Sequence, residues 1–166
     1  MRYLRSLIFA GVLAVFLAVA VPAAFADSPH FLYANSSISS STGALTVSFK
    51  DAGLGTGVTS IEITLSVTTA TADYQCFNNG GNHPKAGNKE TVSTSLTTSG
   101  TFPVSHGQVT NSISVGPPGP GSFSCPSGQS LFLQSVTYTG IFVSDATGNT
   151  LEATPDPLST GPIHIG

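Results

Sequence analysis

The chain has 166 residues, with five Lys or Arg against eight Asp or Glu. Both arginines, Arg2 and Arg5, fall at the N-terminus, so the 140 residues after Ala26 hold only Lys50, Lys85 and Lys89 against all eight acids, a net charge of −5. That balance excludes nucleic acid as a partner, because phosphate neutralisation by basic side chains supplies most of that affinity. It also disfavours anionic membrane surfaces.

Met1-Arg2-Tyr3-Leu4-Arg5 is a short cationic start, and Leu7 to Val21 is an unbroken apolar run closed by Pro22. Ala24-Phe25-Ala26 then places small residues where signal peptidase cuts, so residues 1–26 are expected to be a signal peptide removed after Ala26. The apolar run is shorter than the roughly 20 residues of a spanning helix, and no anchor is expected in the mature form. The expected destination is secreted and extracellular. The remaining length suits a single domain with a core of its own.

His30 to Ala34 reads as a short first strand. In Leu45-Thr46-Val47-Ser48-Phe49 the apolar residues alternate with polar ones, which marks a half-buried strand. Asp51 to Gly57 is a glycine-punctuated turn. Ile61, Ile63, Leu65 and Val67 face one way; after Thr68 the phase slips, and Ala70, Ala72, Tyr74 and Cys76 share a face, which predicts a bulge or bend. Asn78 to Asn88 reads as a long polar loop. Thr91–Thr98, Thr101–Val104 and Val109–Val115 are further strands, and Ser105 to Gln108 is a turn. Gly116-Pro117-Pro118-Gly119-Pro120-Gly121 cannot enter a sheet ladder and reads as a stiff loop. Leu131 to Val143 is a last long strand with slips near Gln134-Ser135 and Gly140. Residues 154–166 form a Pro-rich tail expected to be poorly ordered. No segment after residue 26 has a helical period. The fold class is therefore all-β: a signal peptide (1–26), a sandwich domain (27–153) and the tail, with an immunoglobulin-like antiparallel arrangement preferred over a small closed barrel.

Cys76 and Cys125 are the two cysteines, and an even count in an exported chain favours pairing. The expected bridge joins the start of the Asn78–Asn88 loop to the Cys125-Pro126 turn at one end of the sandwich.

The layout is similar to that of immunoglobulin-like sandwich proteins exported by actinobacteria. The run Cys76-Phe77-Asn78-Asn79-Gly80-Gly81-Asn82-His83-Pro84, with Asn88-Lys89, Cys125-Pro126-Ser127-Gly128-Gln129 and Val136-Thr137-Tyr138-Thr139, resembles a group of short secreted bacterial proteins. The resemblance covers roughly residues 30–150 and implies a secreted sandwich without naming a chemistry. Two features depart from an immunoglobulin domain: Trp is absent, and Tyr74-Gln75-Cys76 precedes the first cysteine where a tyrosine corner precedes the second.

No catalytic constellation stands out. The acids are scattered, whereas acid/base chemistry needs two in one cleft. There is no Gly-x-Ser-x-Gly, and Ser105-His106 sits in a turn where the two side chains are expected to diverge. His30, His83, His106 and His164 lack the close spacing of a zinc site. Asp145-Ala146-Thr147-Gly148-Asn149 places oxygens at alternate positions with Asp156 further on, as in a calcium loop, but the glycine and second acid of that pattern are missing, and a hairpin turn explains the residues equally well. No metal and no cofactor is expected. The most suggestive surface is the amide-rich segment with Asn79, Asn82, His83, Lys85 and Lys89, where positive charge collects on an acidic body. The expectation is a non-enzymatic extracellular module that binds a cell-wall polymer or another extracellular protein through that segment. The alternative is an enzyme inhibitor or small-ligand carrier.

Overall fold

Alternation of β-branched or aromatic residues with hydroxyls sets the strands, and glycine, proline and asparagine set the turns between them. The computed structural model describes residues 28–78 and 84–164; the expected signal peptide (1–26) and Asn79–His83 fall among the residues outside that range. The strands are β1 (His30–Ile38), β2 (Leu45–Ala52), β3 (Ser60–Asn78), β4 (Pro84–Pro103), β5 (Gln108–Val115), β6 (Gln129–Asp145), β7 (Thr150–Glu152), β8 (Leu158–Thr160) and β9 (Ile163–His164). No described helix is long and apolar enough to cross a membrane.

One sheet has the order β1-β2-β5 and the other β4-β3-β6-β7, with β8 and β9 also pairing along β6. All these pairings are antiparallel. The two sheets bury one shared core: Leu45, Val47 and Phe49 from β2 meet Ile63, Leu65, Val67 and Tyr74 from β3 and Leu133, Val136, Tyr138, Ile141 and Val143 from β6. Phe49 stacks edge-on against Phe31 and Phe102, at centroid distances of 6.2 and 5.3 Å, which ties β1 and β4 to the centre. Each such side chain is worth about 1.5–3 kcal/mol of burial, so the alternating pattern alone specifies which face turns inward.

The irregularities follow the slips in the sequence. The β3–β4 register shifts between Val67 and Ala70, where the inward set changes parity. Gly140 sits opposite Thr68 with φ +68°, and a Cβ there would stand 2.4 Å from Thr68 Oγ1, so only glycine fits. Two buried tyrosines anchor loops: Tyr138 Oη donates to the Gly43 carbonyl at 2.6 Å, and Tyr74 Oη donates to the Pro118 carbonyl. The second bond pins the proline-rich connector against the core despite its lack of ladder hydrogen bonds. Cys76 and Cys125 form a disulfide, with a Cα–Cα distance of 5.6 Å, that ties the end of β3 to the same connector.

Two expectations about order need correction. The segment Asn78–Asn88 is not loop throughout, because β4 begins at Pro84 and pairs Pro84 with Phe77 and Lys89 with Gln75 across a bulge. Pairing of Pro84 and Lys89 with β3 keeps the segment in the sheet although Pro84, Gly87 and Asn88 favour turns. The tail after Thr154 is also tied down. Thr154 exchanges backbone hydrogen bonds with Ala34 and Ser36, and the Asp156 carboxylate accepts from the amides of Gly140 and Ile141 at 3.2 and 2.7 Å. These bonds, with β8 and β9 on β6, supply the partners that the prolines cannot.

Candidate functional site

On the outer face of the larger sheet, β3 places Asp73 and Gln75 outward while Ala72, Tyr74 and Cys76 point into the core. Asp73 pairs with Ser135 but Tyr74 pairs with Leu133, so Gln134 is the extra residue of a β-bulge. Bulges twist the ladder locally and re-aim side chains. Here the result is an open depression of about 330 Å³ lined by Asp73, Tyr74, Gln75, Lys89, Glu90, Thr91 and Gln134. Three strands contribute: β3 the floor, β4 one wall and β6 the other.

Asp73 is fixed at the base of this site. Its Oδ1 accepts the Thr91 hydroxyl at 2.6 Å and its Oδ2 the Ser135 hydroxyl at 2.7 Å. These two hydrogen bonds, with Lys89 adding a smaller favourable charge, hold the Asp73 carboxyl below the usual carboxylate range. Asp73 is therefore ionised at neutral pH, and hydroxyls from both neighbouring strands orient it. Lys89 and Glu90 are exposed on the wall. Gln75 lies between Lys89 on β4 and Phe132 on β6 in the cross-strand register. Phe132 and Phe77, both half-buried on this outer face, meet edge-to-face at 4.9 Å beside the depression. The arrangement offers an ammonium donor, two carboxylate acceptors, two amides and an aromatic edge. It suits a neutral, hydroxyl-rich molecule that both donates and accepts hydrogen bonds.

Of the residues expected to bind, Lys89 belongs to this site. Asn79, Asn82 and His83 lie outside the described residues, and Lys85 is placed only as a member of β4. Sequence reading missed Asp73, Gln75, Thr91 and Gln134. The slip at Gln134-Ser135 was the available signal, since a bulged residue has no cross-strand partner. Tyr74 and Tyr138 are in the core, and the aromatic edge of the site comes from phenylalanines.

The remaining candidates fall elsewhere. Ser105 and His106 do not diverge: Ser105 Oγ lies 2.9 Å from His106 Nδ1, because His106 adopts φ +53° at the turn and swings its ring back. The pair is exposed at the tip of the β4–β5 connection. In the Asp145 turn, Oδ1 accepts from Thr147 N, Thr147 Oγ1 and Asn149 N, and Oδ2 from Asn149 Nδ2. Asp156 instead accepts from two amides in the middle of β6 and does not join that turn, whose residues make a hydrogen-bonded hairpin turn. Among the described residues no group of three or more His, Cys, Asp or Glu side chains converges as a metal site.

The fold and site define a disulfide-tied, all-β sandwich with a polar depression on one outer face. Comparison with protein-family models, curated proteins and solved structures finds no match for this chain.

Proposed function

We propose that this chain is an exported, non-enzymatic module that binds a hydroxyl-rich polymer of the cell wall through the depression around Asp73, Gln75, Lys89 and Gln134. The observation that carries this reading is the bulge at Gln134. It opens the outer face beside one of the few lysines and an aromatic edge. Glutamine amides and a hydroxyl-oriented carboxylate can pair with sugar hydroxyls in both senses, while Phe77 and Phe132 offer apolar surface to a sugar ring face. Export is supported by the N-terminal pattern and by the disulfide, a bond that persists in oxidising compartments. The immunoglobulin-like reading is supported by the strand orders β1-β2-β5 and β4-β3-β6-β7, which sort seven strands into two antiparallel sheets.

The test is co-sedimentation of the mature chain with washed wall preparations of the producing cell, comparing the natural protein with a triple variant, Gln75→Ala, Lys89→Ala and Gln134→Ala. Retention is expected to fall at least tenfold in the variant at equal thermal stability. Only part of the natural protein's retention should be lost between ~0.05 and ~0.3 M salt, because a single exposed lysine is screened while the neutral hydrogen bonds are not. Equal retention of both proteins would remove the depression from consideration and direct attention to a protein partner at the sheet edges.

A further inference from the structure

At the end of the sandwich where β2 stops and β6 turns into β7, two acids from different sheets meet. Asp51 is 0 % exposed, and neither of its carboxylate oxygens makes a well-formed hydrogen bond, the Ala52 backbone amide giving it only weak support. It faces Asp145, which is 7 % exposed. Asp145 Oδ1 is saturated by three donors from its own turn, whereas Oδ2 takes only the Asn149 amide and keeps capacity for one more. A buried carboxylate with so little donor support is costly, and two ionised carboxylates facing each other cannot both persist out of water. One proton on Asp51 relieves both costs, because the acid can then donate to the Asp145 carboxylate, whose Oδ2 has room for a further donor.

We propose that Asp51 and Asp145 share one proton and form a pH-sensitive clasp between the two sheets, closed in mild acid and weakened towards neutral pH. The charged surroundings are sparse. Among the described residues, His30 of β1 is the basic group that acts on Asp51, and its effect is the smallest of those that shift it. Glu62 of β3 is exposed on the outer face and touches the Asp145 turn through its backbone carbonyl, which accepts from Ala146 N at 3.1 Å. Gln108 and Val109 of β5, which pair with Ala52 and Asp51, carry no charge. Burial first, then the charge and hydrogen bond of Asp145, push the Asp51 carboxyl up from 3.8 to about 6. The acceptor hydrogen bonds hold Asp145 low in spite of its burial. Because the folded value for Asp51 lies above the unfolded one, the folded state keeps the proton longer. Its contribution is greatest below pH 3.8, declines as pH rises to about 6, and stays at its reduced level above that.

The experiment follows the carboxyl carbon of Asp51 by 13C NMR across pH, with amide hydrogen exchange of residues 49–53 and 145–150 in the natural protein and in Asp51→Asn. The Asp51 signal is expected to titrate near pH 6. After correction for intrinsic chemistry, opening of those amides should rise roughly a hundredfold from acid to neutral pH, because each pH unit between the unfolded and folded values of Asp51 changes the opening equilibrium about tenfold. In Asp51→Asn, whose amide can donate to Asp145 at every pH, the rise should vanish. An Asp51 signal titrating near the ordinary carboxylate value would overturn the clasp even if the variant fails to fold. So would suppression of the neutral-pH opening by added calcium, which would mark the pair as a cation site.

Discussion

Opening the Cys76–Cys125 bond should separate what the disulfide does for stability from what the packing does. The two half-cystines are 49 residues apart in sequence. Closing a loop of that length removes unfolded-chain entropy worth about 4 kcal/mol at room temperature in the chain-entropy model. The folded state keeps independent ties on the same connector: the Tyr74 hydroxyl on the Pro118 carbonyl, and the Gln129 side chain bridging Asn78 and Asn88. A domain of this size is stable by about 5–15 kcal/mol, so the double variant Cys76→Ala, Cys125→Ala should still fold. Its melting temperature should drop by roughly 8–16 °C, at about 2–4 °C per kcal/mol. Urea unfolding should show a lower midpoint and a steeper slope, because the uncrosslinked unfolded chain expands further. A loss below about 1 kcal/mol with an unchanged slope would refute this reasoning, showing that the reduced chain already holds the connector to β3 before it folds.

Three further substitutions probe other parts of the account. Tyr138→Phe leaves the Gly43 carbonyl without its buried donor and should cost about 1–3 kcal/mol, read as a lower urea midpoint at constant slope. Gly140→Ala forces a Cβ against Thr68 at a positive φ and should destabilise by more than about 1 kcal/mol; a neutral outcome in thermal unfolding would contradict the bulge geometry. Asp73→Asn should weaken the fold at neutral pH and leave it unchanged in strong acid. The folded Asp73 carboxyl lies below 3.8, so its stabilisation is present above that value and is lost as pH falls through the lower folded one. Denaturant midpoints across the acid range check this, and a pH-independent effect would mean that Asp73 acts through shape alone.

The strands of the core were legible because burial on one face imposes a two-residue period, and a one-residue slip would expose the whole set. Leu45, Val47 and Phe49 and the changes of parity around Thr68, Gln134 and Gly140 could be read in that way. The start of β4 at Pro84 could not, since it depends on the pairing of Pro84 and Lys89 with β3, and local residue preferences there point to a turn. The order in the tail was hidden for a similar reason: Asp156 looks like a solvating acid until β6 presents two amides to it. Of the candidate site, Lys89 stood out as rare positive charge. Asp73, Gln75 and Gln134 come from strands whose relative register no local pattern encodes. Asp51 was read as a turn residue beside glycines, and its burial against Asp145 depends on how the two sheets close on each other.

The most direct measurement of the proposed binding is a 15N-edited NMR titration of the mature chain with a soluble oligosaccharide released from the producer's wall. The account predicts chemical-shift changes confined to Asp73–Gln75, Lys89–Thr91 and Gln134, with the Gln75 and Gln134 side-chain amides among the largest. Shifts centred instead on β1 and β5 of the smaller sheet, or no shifts at saturating oligosaccharide, would contradict it.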